Sequence, residues 1–542
     1  MIKKNYDILN DCSRMETSEI IDTIITGRGI NDIDHFLCPE EDDMLSLYDL
    51  KNVYHAATLI NDYVEMKGKI IILADTDVDG TTAGAIMYRY LVACGANVEV
   101  VINHGKAHGL IGQDLSRFES AELIIIVDSL DSNCDQYIAL EEMGKIVIVL
   151  DHHDINPEIH YFRYVTLVSS QNDYNNPSLS GAGVVLKTCL LMDKMFEHNY
   201  ADELFDLAAC GILADVMDVS ETSYENRYII ETGLNRLTNP GLKKIIGSYE
   251  FNSKSVLFSV APLVNAAVRM GNSEEALRIF IEDDNKEILA IKKVLEECKK
   301  SQDEEKRALL PEVRSQFDNS GRRIKWAIIN TPYGVSGLIG NTVLDEYNCP
   351  VFIWNKSENN HWTGSCRSIG YPNFRETMCS IDENLRGMGH EEAFGIEFDG
   401  TEEELFSAMK QLDELIYSKT YTQAESSENI DVQIELDDIN RDLVDKIKCI
   451  NRISGKGFKP ITFKISDITD YAVDSWSEGK HLVIKPNDSL LIIKWNVPEG
   501  TIERFEDKAL FCEPITVYGE LDGGFVGRSY YNKFICNEIE ED

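Results

Sequence analysis

Residues 71–80 read IILADTDVDG, and this stretch decides the fold class. The apolar run that leads into it, KGKIIILA at 67–74, is continuous, as expected for a strand that is buried on both faces. The run then ends in aspartates at alternate positions, Asp75, Asp77 and Asp79. Because neighbouring carboxylates repel one another, these side chains should either surround a positive charge or point to water.

Three further apolar runs read as strands, NVEVVIN at 97–103, ELIIIVD at 122–128 and KIVIVLD at 145–151. Helix-like stretches separate most of the runs, beginning with TTAGAIMYRYLVACG at 81–95. This alternation predicts an α/β fold in which helices cover a parallel sheet.

Acidic and imidazole side chains stand where these runs end. In open α/β sheets, ligands bind beyond the carboxyl ends of the strands, so residues that are distant in sequence should meet on one rim. A further aspartate, Asp215, comes out of an apolar helix-like stretch at 204–220, where it would be costly to bury unless it is paired or ligated. The candidate catalytic residues are Asp75, Asp77, Asp79, Asp128, Asp151, His152, His153 and Asp215.

Oxygen ligands combined with imidazole suit Mn²⁺ or Mg²⁺ better than Zn²⁺, and no thiol stands near these runs in a ligand pattern. Two ions about 3.5–4 Å apart need roughly this number of carboxylates, one of them bridging. Such a pair could bind an attacking water and a scissile phosphate. It would also neutralise the clustered carboxylates.

Each motif alone has a simpler interpretation. The D-x-D-x-D-G pattern also resembles a calcium loop or an acidic turn. Asp128 could cap a helix, and the triplet that begins at Asp151 could belong to a capped loop. Together with Asp215 these make four features in α/β order at the ends of apolar runs, and they favour the metal site because the coincidences multiply.

We predict three further segments after the first domain: a long helix, a second α/β domain and a strand-rich region. From Asn272 or Ser273, about 38 residues of helix would extend roughly 55 Å and connect two domains. A second α/β domain follows, and then a strand-rich region in which LDGG at 521–524 would form a tight turn. The predicted boundaries are 1–270 for the first domain, 271–311 for the helix, 312–425 for the second domain and 426–542 for a small β-barrel.

The second domain offers candidates for phosphate binding. Gly364, Ser365, Arg367 and Ser368 could combine a backbone nest with a guanidinium group, although a β-hairpin with a surface arginine explains the same residues. Arg269 could bind phosphate or merely begin the long helix.

Composition limits the range of functions. The chain has 542 residues, 13 cysteines, a net charge of −41 and a pI near 4.6. So acidic a protein repels nucleic acid at long range, and a nucleic-acid site would have to be a local basic groove. The cysteines form no C-x-x-C pair, which favours a reducing compartment, and the start shows no apolar signal segment. We expect a cytoplasmic protein that does not enter membranes.

The motifs ADTDVDG, IVDS, LDHHD and ILADVMD resemble, in order, the four motifs of the DHH phosphoesterase superfamily. GMGHEEAFG resembles the signature of its associated C-terminal domain. Further segments are similar to the RecJ branch, and the resemblance covers roughly residues 20–400. These segments are RGI at 28–30, NPSLSGAGVV at 176–185, ENR at 225–227, NAAVRMG at 265–271, YGVSGLIG at 333–340 and GSCRSI at 364–369. The terminal strands resemble an OB-fold more loosely.

The resemblance implies roles for individual residues. Asp75, Asp77 and Asp79 match the first motif, of which at least two should be ligands. Asp128 matches the bridging ligand, and Asp215 matches the last ligand.

For the triplet, the resemblance implies that His152 is a ligand, that His153 touches the scissile phosphate and that Asp151 supports the ligands from outside. Ser365 and Arg367 match phosphate binders. His390 lies in the substrate-facing signature.

The chain departs from the branch at three positions. Ser129 follows the bridging aspartate where the family has glycine or asparagine, and Leu263 and Val268 replace an arginine and a glycine.

The resemblance implies a 5′→3′ exonuclease specific for single-stranded DNA that uses two Mn²⁺ or Mg²⁺ ions. We expect a monomer whose partners include a single-strand-binding protein or a helicase. The alternatives are a phosphodiesterase for short oligonucleotides or cyclic dinucleotides, a pyrophosphatase, and a non-catalytic replication scaffold.

Overall fold

The computed structural model describes residues 6–103, 109–131, 133–317, 323–332, 334–356, 360–369, 371, 373–418 and 428–541, except for the side chains of Phe162, His390 and Glu541. These residues form two compact units. Of the described residues, the larger unit comprises Tyr6–Ala261, Leu277–Leu289 and 428–541, and the smaller unit comprises Pro262–Ala276 and those between 290 and 418.

The strands of the described chain are numbered in sequence order. They are β1 (Tyr6–Asp11), β2 (Lys69–Ala74), β3 (Asn97–Ile102), β4 (Leu123–Val127), β5 (Ile146–Asp151), β6 (Thr166–Ser169), β7 (Lys325–Ile329), β8 (Val351–Lys356), β9 (His361–Arg367), β10 (Leu385–His390), β11 (Ala393–Asp399), β12 (Glu428–Ile434), β13 (Phe463–Ile468), β14 (Ala472–Trp476), β15 (His481–Lys485), β16 (Leu490–Lys494), β17 (Ile515–Val526) and β18 (Ser529–Glu541).

The helices are numbered in the same way. They are α1 (Thr17–Gly27), α2 (Ile33–Leu37), α3 (Val53–Glu65), α4 (Val78–Ala93), α5 (Asp135–Glu142), α6 (Gly181–Phe196), α7 (Phe205–Ala214), α8 (Tyr224–Asn235), α9 (Pro240–Ile246), α10 (Ser253–Ser255), α11 (Ala261–Arg269), α12 (Ser273–Ile281), α13 (Asn285–Gln316), α14 (Ser336–Tyr347), α15 (Phe374–Cys379), α16 (Glu402–Ser418), α17 (Arg441–Ile450) and α18 (Thr501–Leu510).

The predicted parallel sheet is confirmed in the larger unit. Five parallel strands have the order β3-β2-β4-β5-β6. Every residue of β4 is buried, as are all but the first of β2 and β5, which explains their uninterrupted apolar sequences. The carboxyl ends of β2, β4 and β5 therefore lie side by side on one rim.

A second sheet of the larger unit contains the C-terminal strands. Its eight strands have the order β1-β12-β13-β17-β18-β16-β15-β14, with β1 from the start of the chain paired in parallel with β12. The predicted strand-rich C-terminal region is confirmed. These strands fit the predicted OB-like domain, but the predicted barrel does not close within the described residues, because β1 and β14 form two separate edges of an open sheet. The LDGG turn is also wrong, because these residues lie inside β17 and the hairpin turns at Gly527 and Arg528.

The smaller unit contains a mixed sheet with the order β10-β11-β9-β8-β7. Strands β7 and β8 pair in parallel, and the others pair antiparallel. Apolar clusters cover both faces; one includes Trp354 and Trp362, and the other includes Ile353 and Ile339 from α14. The predicted second α/β domain is confirmed.

The long connecting helix is interrupted. In place of one helix there are α12 and α13, separated by residues 282–284. The Glu282 carboxylate accepts the N–H groups of Asp283 and Asp284, and the Asp284 carboxylate accepts those of Lys286 and Glu287. These side chains end one helix and cap the next, a local competition with the helical ladder that hydrophobic periodicity does not report.

Candidate metal centre

The first motif lies between β2 and α4. Asp77 is the N-cap of α4, and its carboxylate accepts the N–H of Gly80 at 2.9 Å. The carboxylate of Asp79, 1% exposed, accepts hydrogen bonds from the Ser180 hydroxyl at 2.9 Å and from the backbone of Gly181 at 2.7 Å. Because these donors form the N-terminus of α6, the helix fixes the orientation of Asp79 and favours its negative charge.

Asp128 follows β4 and is 1% exposed. Its φ of 55° is uncommon for a residue with a side chain. Within the described chain neither of its carboxylate oxygens accepts a hydrogen bond, although His152 Nε2 lies 3.1 Å from Oδ1. Burial and the nearby carboxylates, Asp79 foremost, raise the pKa of Asp128 well above its ordinary range. A buried carboxylate of this kind requires a cation or a proton.

Asp151 ends β5 and holds the residues around it. One oxygen accepts the N–H of Leu130 at 2.5 Å, and the other accepts the N–H of His152 at 2.6 Å and Nδ1–H of His153 at 2.8 Å. Burial opposes the charge of Asp151, but the charges and hydrogen bonds of His153 and His152 together outweigh burial and lower the pKa of Asp151 below its ordinary value. Burial likewise opposes the charge of His153, yet Asp151 raises the pKa of His153 to about 10, so the imidazole is protonated at neutral pH.

Asp215 follows α7, with 30% of its side chain exposed. Its Oδ2 lies 3.4 Å from His152 Nε2. Burial, followed by the charges of Asp79 and Asp77, raises the pKa of Asp215 to about 8. Asp77 is accessible at the surface, but crowding by protein atoms and the charges of Asp75 and Asp79 raise its pKa to about 6.

The eight predicted catalytic residues come together in three overlapping groups. Within each group, one candidate ligand atom per residue lies within 4.8 Å of the others. Asp128 and His152 each belong to two groups. The groups are Asp75, Asp77 and Asp128; Asp79, His152 and Asp215; and Asp128, Asp151, His152 and His153. Carboxylates with one or two imidazoles are the donors that Mn²⁺ accepts, and the donor-free carboxylate of Asp128 lies where the groups meet. The residues therefore fit divalent metal ions.

Three glycines allow this convergence. A Cβ atom on Gly80 would lie 2.6 Å from Asp75 Cβ. A Cβ on Gly181 would lie 2.6 Å from Asp128 Oδ1, and one on Gly211 would lie 2.3 Å from Asp79 Oδ1. The backbone of α4, α6 and α7 therefore approaches the carboxylates to distances that no larger residue permits.

Sequence reasoning missed the polar residues around Asp75. Buried Asn103 lies 3.4 Å from Asp75 Oδ1 through its Nδ2, and the same amide donates to the Ser129 hydroxyl at 3.0 Å. The Ser129 oxygen also accepts the N–H of Gly109 at 2.6 Å. Asn103 follows β3 as the aspartates follow β2 and β4, so its place after an apolar run was an available signal.

The predicted phosphate binders lie in the smaller unit. The hydroxyls of Ser365 and Ser336, at the start of α14, are 2.9 Å apart. Arg367 Nε donates to Asn341 Oδ1 at 2.6 Å. The hydroxyl of buried Ser368 donates to the carbonyl of Glu391 at 2.9 Å.

Glycines also lie beside Arg269 and Arg367, the two arginines predicted to bind phosphate. A Cβ on Gly334 would lie 3.4 Å from Arg269 Cγ, and one on Gly337 would lie 2.6 Å from Arg367 Nη2. The Arg269 guanidinium has no ion pair with the described residues. The backbone of His390 lies in β10, but its side chain is outside the described part, as is Tyr333 of the YGVSGLIG segment.

No helix in the described part of the chain combines the length and the apolar composition that a membrane span requires.

Comparisons with known proteins agree with this geometry. Residues 69–212 match the model of the DHH family, N-terminal domain. The putative SPbeta prophage-derived single-strand DNA-specific exonuclease YorK of Bacillus subtilis is 28% identical over 362 residues, which cover 61% of this chain and 62% of that protein. The single-stranded-DNA-specific exonuclease RecJ of Thermus thermophilus is 29% identical over 378 residues, or 68% of this chain and 55% of that protein. The chain thus spans less than two thirds of the length of these relatives.

Solved structures share the fold. The crystal structure of Thermus thermophilus RecJ in complex with Mn²⁺ superimposes with a TM-score of 0.78 at 22% identity, covering 99% of this chain and 80% of that one. A crystal structure of exonuclease RecJ bound to manganese gives a TM-score of 0.59 at 26% identity, covering 70% of this chain and 97% of that one. Residues 69–212 therefore match the N-terminal domain of the DHH family, and the chain shares the fold of these structures.

Proposed function

We propose that the protein is a metal-dependent phosphodiesterase that degrades single-stranded DNA from an end, with 5′→3′ polarity. The observation that supports this most is the buried carboxylate of Asp128, which accepts no described hydrogen bond and belongs to two overlapping donor groups. The names of the relatives, which describe single-strand-specific exonucleases, support the choice of substrate.

Two Mn²⁺ or Mg²⁺ ions would be held by Asp75, Asp77, Asp79, Asp128, His152 and Asp215. When bound, such ions lower the pKa of a water nucleophile and stabilise charge on a phosphoryl group. Asp128 belongs to two of the donor groups, so its carboxylate is suited to bridge the two ions.

The other residues position these ligands and the substrate. Asp79 is aligned by the backbone of α6, and Asp151 orients His152 and His153 through its hydrogen bonds. His153 is 39% exposed and carries a proton, so it would donate a charge-assisted hydrogen bond to the scissile phosphate. Asp151 binds no metal in this proposal, because backbone and His153 donors already occupy its oxygens.

The smaller unit would bind the DNA backbone. Arg269, Arg367 and Ser365 present guanidinium and hydroxyl donors. Ser368 follows the strand that carries Ser365 and Arg367, and its hydroxyl donates to the carbonyl of Glu391. His390 would face the substrate. We further propose that the protein acts as a monomer in the cytoplasm, together with a single-strand-binding protein or a helicase.

End-labelled single strands test this function. The purified protein is incubated with 5′- or 3′-labelled strands and Mn²⁺, and Asp128→Asn is compared with Asp154→Asn. Asp154 is exposed, directly follows His153 and belongs to no donor group, so it is a matched control. We expect single-nucleotide products, a loss of about a hundredfold or more in Asp128→Asn and little change in Asp154→Asn.

Three results would contradict the proposal. Equal cleavage of duplex would exclude single-strand specificity, and faster turnover of a dinucleotide or a cyclic dinucleotide would indicate the smaller substrate. Failure to release nucleotides with either metal would indicate a non-catalytic role.

A further inference from the structure

A turn from the C-terminal region lies against the segment that follows Asp215. The Lys456 carbonyl accepts the N–H of Val219 at 2.9 Å, and Asp218 and Lys456 form an isolated parallel β-bridge. The two segments are separated by more than two hundred residues in sequence, yet both belong to the larger unit.

The flanks of this turn are anchored in the core. Gly455 and Phe458 close it with reciprocal backbone hydrogen bonds of 2.8 and 3.3 Å. Buried Ser454 donates its N–H to the Ser253 hydroxyl at 3.0 Å. Phe458 is 3% exposed, and its ring packs edge-on against the ring of Phe36, with 4.9 Å between the ring centroids.

Gly457 fixes the approach to the Asp218 segment. It has a φ of 79°, and a Cβ there would lie 2.0 Å from Asp218 Oδ1. From the other side, Asn226 Nδ2 donates to the Asp218 carbonyl at 2.9 Å. The chain from Asp215 to Asp218 therefore has a defined position relative to the turn.

Lys456 is exposed at this turn. Within the described ranges, its ammonium group makes no hydrogen bond or ion pair. The nearby Asp218 carboxylate accepts hydrogen bonds from the hydroxyls of Ser220 at 2.8 Å and Ser223 at 2.5 Å. These bonds stabilise the loop that contains Asp218.

The bridge places Lys456 beside Asp218, three residues after Asp215 in the sequence. A phosphate chain approaching the carboxylates of the centre would be repelled, and a cation beside them reduces that repulsion.

We propose that Lys456 binds a backbone phosphate of the nucleic-acid strand beside Asp215, so that the C-terminal region contributes directly to substrate binding at the metal centre. This inference rests on the proposed function. The turn is docked by backbone atoms and by its glycines, so its position does not depend on the lysine side chain.

The test measures binding without cleavage. Fluorescence anisotropy of a labelled oligothymidylate is recorded in EDTA over a range of salt concentrations, for the wild type, Lys456→Ala, Lys456→Arg and Lys459→Ala. Lys459 is exposed three residues further along, and in the described part of the chain its hydrogen bond is the one that its carbonyl accepts from Arg28, so it is a matched control. We expect Kd to rise roughly tenfold in Lys456→Ala at low salt. The slope of log K against log salt should fall by about 0.7, as for one lost phosphate contact.

The conservative variant and the control complete the test. Lys456→Arg should keep the wild-type slope, Lys459→Ala should match the wild type, and all variants should melt at the wild-type temperature. Wild-type affinity and slope in Lys456→Ala would overturn the inference while leaving the proposed function intact. A wild type that neither binds the strand nor cleaves it with Mn²⁺ would overturn both.

Discussion

Gly181 and Asp128 lie so close together that a Cβ atom on residue 181 would be 2.6 Å from Asp128 Oδ1. The N–H of Gly181 also donates to Asp79 at 2.7 Å. Gly181, at the start of α6, therefore leaves room for Asp128 because it has no Cβ, and it orients Asp79 through its backbone N–H.

We predict that Gly181→Ala lowers the affinity for Mn²⁺ by about 10- to 100-fold, because Asp128 must move to admit the methyl group. Isothermal titration calorimetry of the metal-free protein measures this. Gly27→Ala is the control, since a Cβ on that helical glycine would be 3.4 Å from Asn10 Nδ2, an ordinary contact. Wild-type Mn²⁺ affinity in Gly181→Ala would contradict the prediction.

A buried ion pair stabilises the helices behind the centre. Lys187 Nζ lies 2.6 Å from Glu225 Oε1, and neither side chain is more than 2% exposed. Tyr174 and Asn176 also donate to Glu225, at 2.7 and 2.9 Å.

Glu225→Gln should lower the free energy of unfolding by about 3 kcal/mol, because it leaves Lys187 buried without its counter-charge. Urea denaturation measures the change. The control is Asp474→Asn, which removes the exposed pair with Lys485 and should cost less than about 1 kcal/mol. Similar losses in both variants would indicate that the buried pair has no special role.

Asp151 should control the protonation of His153. In the wild type, the pKa of His153 is about 10, so substrate binding through this group should not change between pH 6 and 8. In Asp151→Asn, the pKa of His153 should fall towards its ordinary value of 6.5. KM for single-stranded DNA should then rise as the pH rises through neutrality. Steady-state kinetics at several pH values test this, with Asp154→Asn as control; a flat KM profile in Asp151→Asn would contradict it.

Metal removal should make stability depend on pH. Asp215 has an ordinary pKa of 3.8 and a folded pKa of about 8. A group whose pKa is raised on folding stabilises the protein below its unfolded pKa, and this contribution is lost as pH rises through the folded value. In EDTA, the melting temperature should therefore fall between about pH 4 and pH 8, and Mn²⁺ should reverse the fall at pH 8.

The Asp215→Asn variant separates this effect from the general repulsion of an acidic protein. In EDTA at pH 8 it should melt about 2 °C or more above the wild type, since it removes a charge that folding disfavours. Adding Mn²⁺ should also raise the melting temperature of this variant less than that of the wild type. A variant that melts below the wild type in EDTA and responds fully to Mn²⁺ would show that Asp215 is not part of the centre.

The location of the centre could be predicted because the signals were local. An apolar run marks a buried strand, parallel strands share a rim, and the residues after Ala74 and Val127 are aspartates. Asp215 was predictable as a charge in an apolar helix.

The remaining features depend on long-range contacts or on competing local hydrogen bonds. Tyr6 pairs with Glu428, and Asp218 forms a bridge with Lys456. Both contacts join segments that are far apart in the sequence, and hydrophobic periodicity does not predict such contacts. Sequence alone therefore suggested a separate barrel. The break in the long helix arises from the Glu282 and Asp284 carboxylates, which compete with the helical backbone.

The central claim is that separate carboxylates and an imidazole hold divalent ions around Asp128. Anomalous scattering from crystals soaked in Mn²⁺ tests it most directly. We predict two peaks among Asp75, Asp77, Asp79, Asp128, His152 and Asp215, with Asp128 between them, and their loss in Asp128→Asn. Crystals with saturating Mn²⁺ and no peak among these residues would contradict the account.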